Sequence, residues 1–499
     1  MKGATSPTPL VLRTAQRIKE ELRSGRFPAD EPLPTHRAWA KELMVSHFTV
    51  SRATELLKAE GVIESSEGSY AFLLNAPGEK SSLAETATTE INLWFNDQKT
   101  VRRLRQSIAR QRFQNDFASH RPGVRFSNKK FEMNFGDFRA RVLESFLRGD
   151  GPTLGEFPQT YLDFLADYDV LGDLATGEDA RYLDLLDERY LEHVFVNGKC
   201  RFLPFGCSYS YLVCNDNLFR EAGLVPGEEF QSWGDFAEKC EQLKKVHGGA
   251  PFQVSGDGLF SLLSQWIYQA DSSLPAKGRL PLIDWQSEAA LTGLNFLLEM
   301  IFDRSLIQIM NGSERLSQTS PFLAGRVPIA RWEIMLSSAL ELDSADAISI
   351  KAFPPGPNGS SLSLMNTVGW AANARAEEKT QALAGKYILE WERWIHCGEG
   401  SVIMRKLGIA PSLISMFKDP SKDRFYSDKL PKTWKKTFSH LKEFGRWEAS
   451  DSDLVAGVLT PILLEEFQKG RPADARTLLK HLMLAQYDAG ILHPSSPIT

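Results

Sequence analysis

The stretch LPTHRAWAKELMVSHFTVSRA, residues 33–53, constrains the fold of this chain more than any other. Thr35 and Ser46 are residue types that cap helix N-termini, because their side-chain oxygens accept hydrogen bonds from free backbone N–H groups. A helical pattern follows each of them, and the first runs to about Leu43 before a short break. The stretch therefore predicts two helices joined by a tight turn, a helix-turn-helix.

The residues on either side extend this motif to a larger unit. Apolar residues recur at helical spacing over 10–22, which predicts an amphipathic helix ahead of the motif. Two short apolar runs, 62–63 and 70–74, lie on either side of Gly68 and predict a small hairpin behind it. This order is typical of a winged helix-turn-helix, which places one helix in the DNA major groove.

The composition is that of a globular protein of about three domains, since 42% of the 499 residues are hydrophobic and 24% are charged. No stretch approaches the roughly 20 apolar residues of a membrane span, and residues 1–22 contain no continuous apolar region. We therefore expect no signal peptide and a cytoplasmic protein. The five cysteines show no C-x-x-C spacing, which favours reduced thiols over a zinc site or a disulfide framework.

Charge alone does not indicate a nucleic-acid partner, because the net charge is −5. Residues 1–76 contain ten Lys or Arg and nine Asp or Glu, which gives +1 there and leaves −6 for the remainder. The motif, rather than the charge, is therefore the basis for expecting DNA binding.

The rest of the chain has a different character. Residues 75–89 are small and polar and include a Pro-Gly pair, which indicates a flexible linker. A strand pattern begins at Ile91, and helical and strand patterns alternate after it, as in an α/β fold. We expect a DNA-binding domain over 1–76, a linker over 77–89 and an α/β body over 90–499.

Several short segments follow one another in the first domain: Ser24-Gly25-Arg26, Leu33-Pro34-Thr35-His36-Arg37, Ala40-Lys41-Glu42-Leu43, Val45-Ser46, Thr49-Val50 and ATELLKAEGVI over 53–63. Together they resemble the winged-helix domain of the GntR family of bacterial regulators. The resemblance implies an operator-binding domain in which Arg37 reaches the groove edge, where Arg can form two hydrogen bonds to guanine. The DNA contacts implied by position are Thr35, Arg37, Ser46, His47, Thr49, Ser51, Arg52 and Gly68.

The second helix of the motif departs from this family's pattern. His47 stands where the family usually has Arg, Phe48 where it usually has Thr, and Ser51 where many members have Arg. These changes alter the operator sequence and reduce phosphate neutralisation. Three alternatives stay open: a solvated helix start for Arg37, a surface role for His47, and a domain that does not bind DNA.

A second ordered set of segments runs through residues 90–499: INLWF at 91–95, LRGDGP at 147–152, LPF at 203–205, YLVCNDNLFREAGL at 211–224, SWGDF at 232–236, FLAGRVPI at 322–329 with Trp332, VGW at 368–370 and LGIAP at 407–411. This set resembles the solute-binding proteins of sugar ABC importers. The resemblance implies a periplasmic-binding-protein-like (type 2) body, in which two α/β lobes close on a ligand about a hinge.

The resemblance also implies where the lobes and the ligand lie. Lobe 1 is expected at about 90–206 and 356–405, and lobe 2 at about 207–355 and 406–499. A sugar needs aromatic faces against its C–H faces, and Asp, Asn, Arg or Glu around its hydroxyl rim. By position, the expected ligand residues are Asn96, Asp97, Tyr209, Asp257, Trp266, Arg331, Trp332, Glu333 and Trp370.

For each of these residues, packing in a core, a hinge or a surface loop stays open as an alternative. Trp94, Trp233 and Trp391 lie in apolar settings that predict core positions. The basic run over 102–112 predicts a solvated helix face rather than a second DNA contact.

The sequence lacks the common catalytic motifs. It contains no G-x-x-x-x-G-K-[ST] phosphate loop, no G-x-S-x-G nucleophile motif and no H-E-x-x-H metal motif. We expect no enzyme and no cofactor or metal, although paired carboxylates leave a glycosidase open.

The two parts together predict a ligand-responsive transcription regulator. We expect a homodimer that binds a double-stranded DNA operator, is controlled by a mono- or oligosaccharide and has no membrane partner. The GntR resemblance favours a repressor. The alternatives are a cleft that senses a partner protein or a non-sugar ligand, and a transport-associated sugar-binding protein.

Overall fold

The structure is a computed structural model. It describes residues 9–24, 26–27, 33–59, 62–65, 71–73, 89–96, 101–131, 135–162, 165, 168–174, 182–191, 194–196, 198–274, 279–310, 321–322, 324–332, 347–406, 417–419, 422, 437, 439, 441, 443–448, 452–489 and 491. Over these ranges, no helix is both long enough and apolar enough to cross a membrane.

Three helices and a hairpin form the N-terminal domain. The elements are α1 (Pro9–Arg23), α2 (His36–Leu43), α3 (His47–Ala59), β1 (Ile63–Ser65) and β2 (Ala71–Leu73), with β1 antiparallel to β2. The apolar faces of the helices meet in one core, which includes Ile18, Trp39, Val50 and Leu57. The winged helix-turn-helix predicted from the sequence is confirmed.

Both predicted helix caps are present. The Thr35 Oγ1 accepts a hydrogen bond from the Ala38 N–H at 3.2 Å and caps α2. The Ser46 Oγ accepts one from the Thr49 N–H at 3.1 Å and caps α3. Between them, Met44 ends α2 in a left-handed conformation with φ of 53°. The turn between the helices is therefore held by local hydrogen bonds.

The body begins with a sheet whose first strands are parallel. β3 (Thr89–Asn96) pairs in parallel with β4 (Val124–Phe131) and β5 (Leu154–Pro158). The long strand β14 (Ser363–Ala372) pairs with β5, with β8 (Leu203–Tyr209) and with β15 (Gly445–Trp447). We call the part of the body around this sheet lobe 1.

A second sheet forms the centre of lobe 2. Its strands are β9 (Tyr211–Asn215), β10 (Phe252–Ser255), β11 (Ile307–Met310), β12 (Ile329–Trp332) and β13 (Ile348–Lys351), in the spatial order β11-β10-β12-β9-β13. β10 is parallel to β11 and to β12, so the carboxyl ends of these three strands lie at one edge.

Helices surround both sheets. They are α4 (Val101–Ser119), α5 (Phe135–Arg148), α6 (Glu188–Leu191), α7 (Asp216–Glu221), α8 (Trp233–His247), α9 (Leu259–Ala270), α10 (Glu288–Leu298), α11 (Glu378–Cys397), α12 (Gly400–Lys406), α13 (Ser452–Gln468) and α14 (Ala475–Asp488). A small hairpin, β6 (Phe195–Val196) and β7 (Lys199–Cys200), precedes β8. Trp94, Trp233 and Trp391 are buried, which confirms their predicted core positions.

Within the described ranges, the chain passes between the lobes at three places. Ser210 joins β8 to β9, residues 352–362 join β13 to β14, and the third crossing lies between β15 and α13. The sequence predicted the last crossing near residue 405. It lies after Trp447 instead, because β15 pairs with β14 in the lobe 1 sheet.

The first two crossings are hydrogen-bonded to each other and to α9, and we call this unit the hinge. The Ser210 N–H donates to the Leu364 carbonyl at 2.8 Å, and the Ser363 Oγ donates to the Ser210 carbonyl at 2.6 Å. The buried amide of Gln265, on α9, donates to the Leu362 carbonyl at 2.6 Å and accepts from the Leu364 N–H at 2.9 Å. Helix α9 of lobe 2 therefore holds the second crossing segment, which is hydrogen-bonded in turn to the first.

Gly356 offers a test of this packing, because a Cβ added there would stand 2.3 Å from the Gln269 carbonyl oxygen at the end of α9. Gly356→Ala should push the second crossing away from α9 and lower the free energy of unfolding by about 1–3 kcal/mol, the usual cost of overpacking. Chemical denaturation followed by circular dichroism measures this loss. Gly457→Ala is the control, since its Cβ would meet open space on α13. A variant at Gly356 as stable as the wild type would contradict the close approach.

Three cysteines are buried in the body. Cys200, Cys214 and Cys240 are unpaired thiols. Burial raises the pKa of Cys200 and of Cys214 to about 12, so both are protonated and unreactive at neutral pH. In the part of the chain that the structure describes, no group of three His, Cys, Asp or Glu side chains is placed to hold a metal ion.

Candidate functional site

One candidate site is the exposed surface of α3. Val50, Ala53 and Leu57 are buried and turn one face of α3 toward the domain core. The opposite face is exposed, and at helical spacing it carries Phe48, Arg52 and Glu55. This is the helix that the motif predicts in the DNA major groove.

Two contacts hold the start of α2 beside α3. The His36 ring meets the His47 ring with centroids 5.6 Å apart, and the His36 Nε2 lies 3.0 Å from the Thr54 hydroxyl. Arg37, the next residue of α2, is exposed, as is His47. The fold therefore places Arg37 directly after a residue that contacts the first turn of α3.

The remaining predicted DNA contacts lie next to this surface or outside the described residues. The hydroxyls of Ser46 and Thr49 are 2.8 Å apart, so the two side chains form one polar cap at the start of α3. Ser51 is half-buried and Arg52 is exposed. Gly68, the predicted tip of the hairpin, lies outside the described residues.

The second candidate site lies between the lobes. In open α/β sheets, ligands bind beyond the carboxyl ends of the parallel strands. Those ends are Asn96 of β3 in lobe 1, and Ser255 of β10 and Trp332 of β12 in lobe 2. The lobes also touch here, because the Arg279 Nη2 of lobe 2 donates to the Oε1 of Gln159, directly after β5, at 3.4 Å.

Several residues expected to bind the ligand lie at these strand ends. Asn96 and Trp332 are the last residues of β3 and β12. Asp257 is exposed in the turn that follows β10. Asp97 and Glu333 fall outside the described residues. The ligand contacts of this group stay a prediction.

Arg331, which is expected to bind the ligand, makes its hydrogen bonds to other residues of the protein. Its guanidinium donates to the Gly258 carbonyl at 2.6 Å, to the Ser210 Oγ at 2.8 Å and to the Ser261 Oγ at 2.6 Å. Ser210 is the first crossing, whereas Gly258 and Ser261 belong to the start of α9. Arg331 thus ties the hinge to lobe 2, and hydrogen bonds from a charged donor contribute about 1.5–3 kcal/mol each.

Three aromatic residues expected to face the ligand are packed inside the lobes. Trp266 is 0% exposed, and its ring lies 4.8 Å from that of Phe296. Tyr209 is 2% exposed, with its hydroxyl 2.8 Å from the Tyr190 hydroxyl. Trp370 is 4% exposed among apolar neighbours of lobe 1. We assign all three to the cores, because a ring covered by protein on both faces offers no face to a sugar.

Where the lobes meet lies a group of polar residues that no sequence motif indicates. The Gln159 Nε2 donates to the Glu448 carbonyl at 3.5 Å, and the Asn366 Nδ2 donates to the Glu448 Oε2 at 3.1 Å. With Arg279, these residues form what we call the interlobe polar cluster. The position of Gln159 directly after a buried strand was the signal that could have found it, since such ends face ligands in α/β sheets.

The first domain is similar to known bacterial regulators. Residues 10–73 match the model of the bacterial regulatory proteins, gntR family. One relative is the HTH-type transcriptional repressor NagR of Bacillus subtilis (strain 168), which is 28% identical over 85 residues. That alignment covers 17% of this chain and 35% of the repressor, so it spans about a third of the relative's length.

The body is similar to solved binding proteins. Maltose-bound MalE3 of T. maritima superposes with a TM-score of 0.62 at 14% identity, over 81% of this chain and 100% of that one. UgpB of Mycobacterium tuberculosis, in complex with glycerophosphocholine, gives a TM-score of 0.59 at 17% identity, over 81% and 99%. At such identities the likeness shows the fold alone. The chain thus joins a winged helix that matches the gntR-family model over residues 10–73 to a body whose fold is that of two-lobed sugar-binding proteins.

Proposed function

We propose that this protein is a cytoplasmic transcription regulator whose operator binding is controlled by a carbohydrate held between its lobes. The observation that carries the proposal is the union, in one chain, of a gntR-family domain and a sugar-binding-protein fold. Regulators and solute-binding proteins are generally not enzymes, so the proposal requires no catalytic group.

The DNA-binding end acts on a double-stranded operator as a homodimer, because two linked half-site contacts multiply affinity. Arg37 is the proposed guanine reader, since its exposed guanidinium can form two hydrogen bonds to the major-groove edge. Repression is the proposed sign of regulation, in line with the relative that is named a repressor. The full set of proposed contacts is Thr35, Arg37, Ser46, His47, Thr49, Ser51, Arg52 and Gly68.

The ligand-binding end is the region between the carboxyl ends of the strands. Trp332 is the proposed stacking face, and hydrogen-bonding side chains at neighbouring strand ends supply the rim: Asn96, Asp97, Asp257 and Glu333. The interlobe polar cluster extends this rim from both lobes, because Gln159 belongs to lobe 1 and Arg279 to lobe 2. Amide, guanidinium and carboxylate groups are the usual partners of sugar hydroxyls.

Ligand binding controls the DNA-binding end through the lobes. A sugar that bridges the lobes favours the closed arrangement to the extent that it binds this arrangement more tightly than the open one. Closure turns the lobes about the hinge, where Arg331 and Gln265 hold the crossing segments. The proposed consequence is a change in how the two winged helices of the dimer are spaced.

A panel of mono- and oligosaccharides, including maltose, tests the ligand. A sugar present at 100 times its Kd should add about 2.7 kcal/mol to the stability of the full-length protein, which thermal unfolding detects. Gln159→Ala should reduce this stabilisation, because it removes a buried amide from the interlobe polar cluster. Gln111→Ala, which removes a half-buried side chain on α4 of the same lobe whose amide bonds Asn115 at the surface, is the matched control and should keep the stabilisation.

The same sugar must also change the affinity for a selected operator, measured by fluorescence anisotropy. Stabilisation without any change in operator affinity would reduce the body to a sugar-binding unit without regulatory effect. A panel in which no sugar stabilises the protein would remove the carbohydrate from the proposal.

A non-sugar ligand is the second candidate, because UgpB shares this fold and was solved with glycerophosphocholine. The assignment of Tyr209, Trp266 and Trp370 to the cores also reduces the aromatic surface available to a sugar. Adding glycerophosphocholine to the panel separates the two candidates, since stabilisation by it alone would favour the second.

A further inference from the structure

Phe48 is a large apolar residue whose side chain is exposed to solvent. It is the second residue of α3, it is 81% exposed, and its ring meets the edge of the exposed His47 ring with centroids 6.0 Å apart. Met44, in the turn before α3, is 89% exposed. The domain core is built from the opposite face of α3, so packing within the domain does not account for the Phe48 ring.

The surroundings of Phe48 point to DNA as its partner. Phe48 shares the outward face of α3 with Arg52, one helical turn later, and the exposed Arg37 directly follows His36, whose ring meets that of His47. Both arginines are exposed, and Arg52 places a cationic group that complements phosphates and guanine edges one turn from the apolar ring. The face is continuous with the surface that a helix-turn-helix places in the major groove.

We propose that Phe48 is a specificity-determining residue that packs its ring on the C5-methyl group of a thymine in the operator. This inference rests on the proposed function, and it adds the identity of one base. Thymine is the base that presents an apolar group in the major groove, and Phe is among the side chains that contact it. The edge contact with His47 restricts the Phe48 ring on the side of the turn.

Helix geometry places this thymine relative to Arg52. Four residues of α-helix advance about 6 Å along the axis. Successive base pairs are about 3.4 Å apart. The thymine should therefore lie within about two base pairs of the base that Arg52 contacts.

The test uses the full-length protein and removes single methyl groups from the DNA. The wild type first selects its operator from random duplexes, and each thymine of the selected site is then replaced by deoxyuridine, which lacks the C5-methyl. Replacing this thymine in one half-site should raise the Kd about fourfold, the value of one buried methyl group. In Phe48→Ala the same replacement should leave the Kd unchanged, whereas Phe48→Leu should retain part of the loss.

Leu12→Ala is the matched control, because Leu12 is an apolar side chain on α1 that is 51% exposed. It should reproduce the wild-type deoxyuridine profile. Phe48→Ala should also melt at the wild-type temperature, because an exposed ring contributes little to the core.

The outcomes separate the reading role from the proposed function. Equal deoxyuridine losses in the wild type and in Phe48→Ala would overturn the reading role and leave operator binding intact. A changed oligomeric state of DNA-free Phe48→Ala, with that same equality, would assign the ring to a second copy of the chain instead. If the wild type selects no sequence from the random duplexes, both the proposed function and the reading role are wrong.

Discussion

Trp266→Ala should lower the free energy of unfolding of the body by about 3–5 kcal/mol, the usual cost of deleting a buried large aromatic ring. Trp266 is fully buried on α9, with the Phe296 ring 4.8 Å and the Trp233 ring 6.2 Å away. The cavity left by the indole cannot collapse easily, because Trp233 and Phe296 are themselves stacked at 4.5 Å. Chemical denaturation followed by far-ultraviolet circular dichroism measures the loss.

Trp266→Phe is the companion variant, and it should lose less stability because it keeps most of the apolar ring. The alternative is that Trp266 is a ligand residue, as its position in the sequence first suggested. A Trp266→Ala variant that unfolds like the wild type but is no longer stabilised by any ligand would support the ligand-binding role instead. The measurement therefore decides between a core and a cleft position for this residue.

Arg37→Ala should weaken binding to the selected operator by about 1–3 kcal/mol for each half-site, which is roughly 5- to 150-fold in Kd per half-site, the discrimination that one bidentate arginine–guanine pair provides. The same variant should bind random duplex only slightly less well than the wild type does, because non-specific binding depends on total charge. Fluorescence anisotropy with both duplexes, at one fixed salt concentration, gives the two affinities. The ratio between them should fall, whereas the non-specific affinity should change little.

Arg13→Ala is the control for charge, since it removes an exposed arginine from α1. It should leave the ratio of specific to non-specific affinity at the wild-type value. If Arg37→Ala keeps that ratio as well, Arg37 is a solvated residue at the start of α2 rather than a base reader. His47 and Arg52 would then be the next candidates on the same surface.

The N-terminal domain could be predicted closely because its signals are local. A cap such as Thr35 or Ser46 acts on backbone groups three residues away, so the sequence around it contains all the information needed. The buried face of α3 follows from the spacing of Val50, Ala53 and Leu57 in the same way.

The lobes were harder to delimit because their boundaries depend on distant pairing. β15 has three residues, too few for a periodic pattern, and its assignment to lobe 1 comes from pairing with β14. The predicted end of lobe 1 was therefore some forty residues too early, near 405 rather than after Trp447.

Aromatic residues were the least predictable part of the candidate ligand site. An indole ring gains free energy from apolar contact, whether the contact is a sugar face or a neighbouring side chain. Trp332 and Trp370 are both tryptophans that the sequence predicts at the ligand. Trp370 nevertheless lies in the core, where it is 4% exposed. Residue type therefore could not separate the two roles.

The sequence by itself determined that a winged helix precedes an α/β body and which elements form the winged helix. It also determined that α3 carries His47 and Phe48 where the gntR family usually has other residues. The tertiary structure alone decided which side chains meet between the lobes. Gln159 and Arg279 are 120 positions apart, yet their side chains are hydrogen-bonded where the lobes touch. Such a contact depends on how whole sheets pack and where the chain crosses between them, and no local pattern encodes that distance.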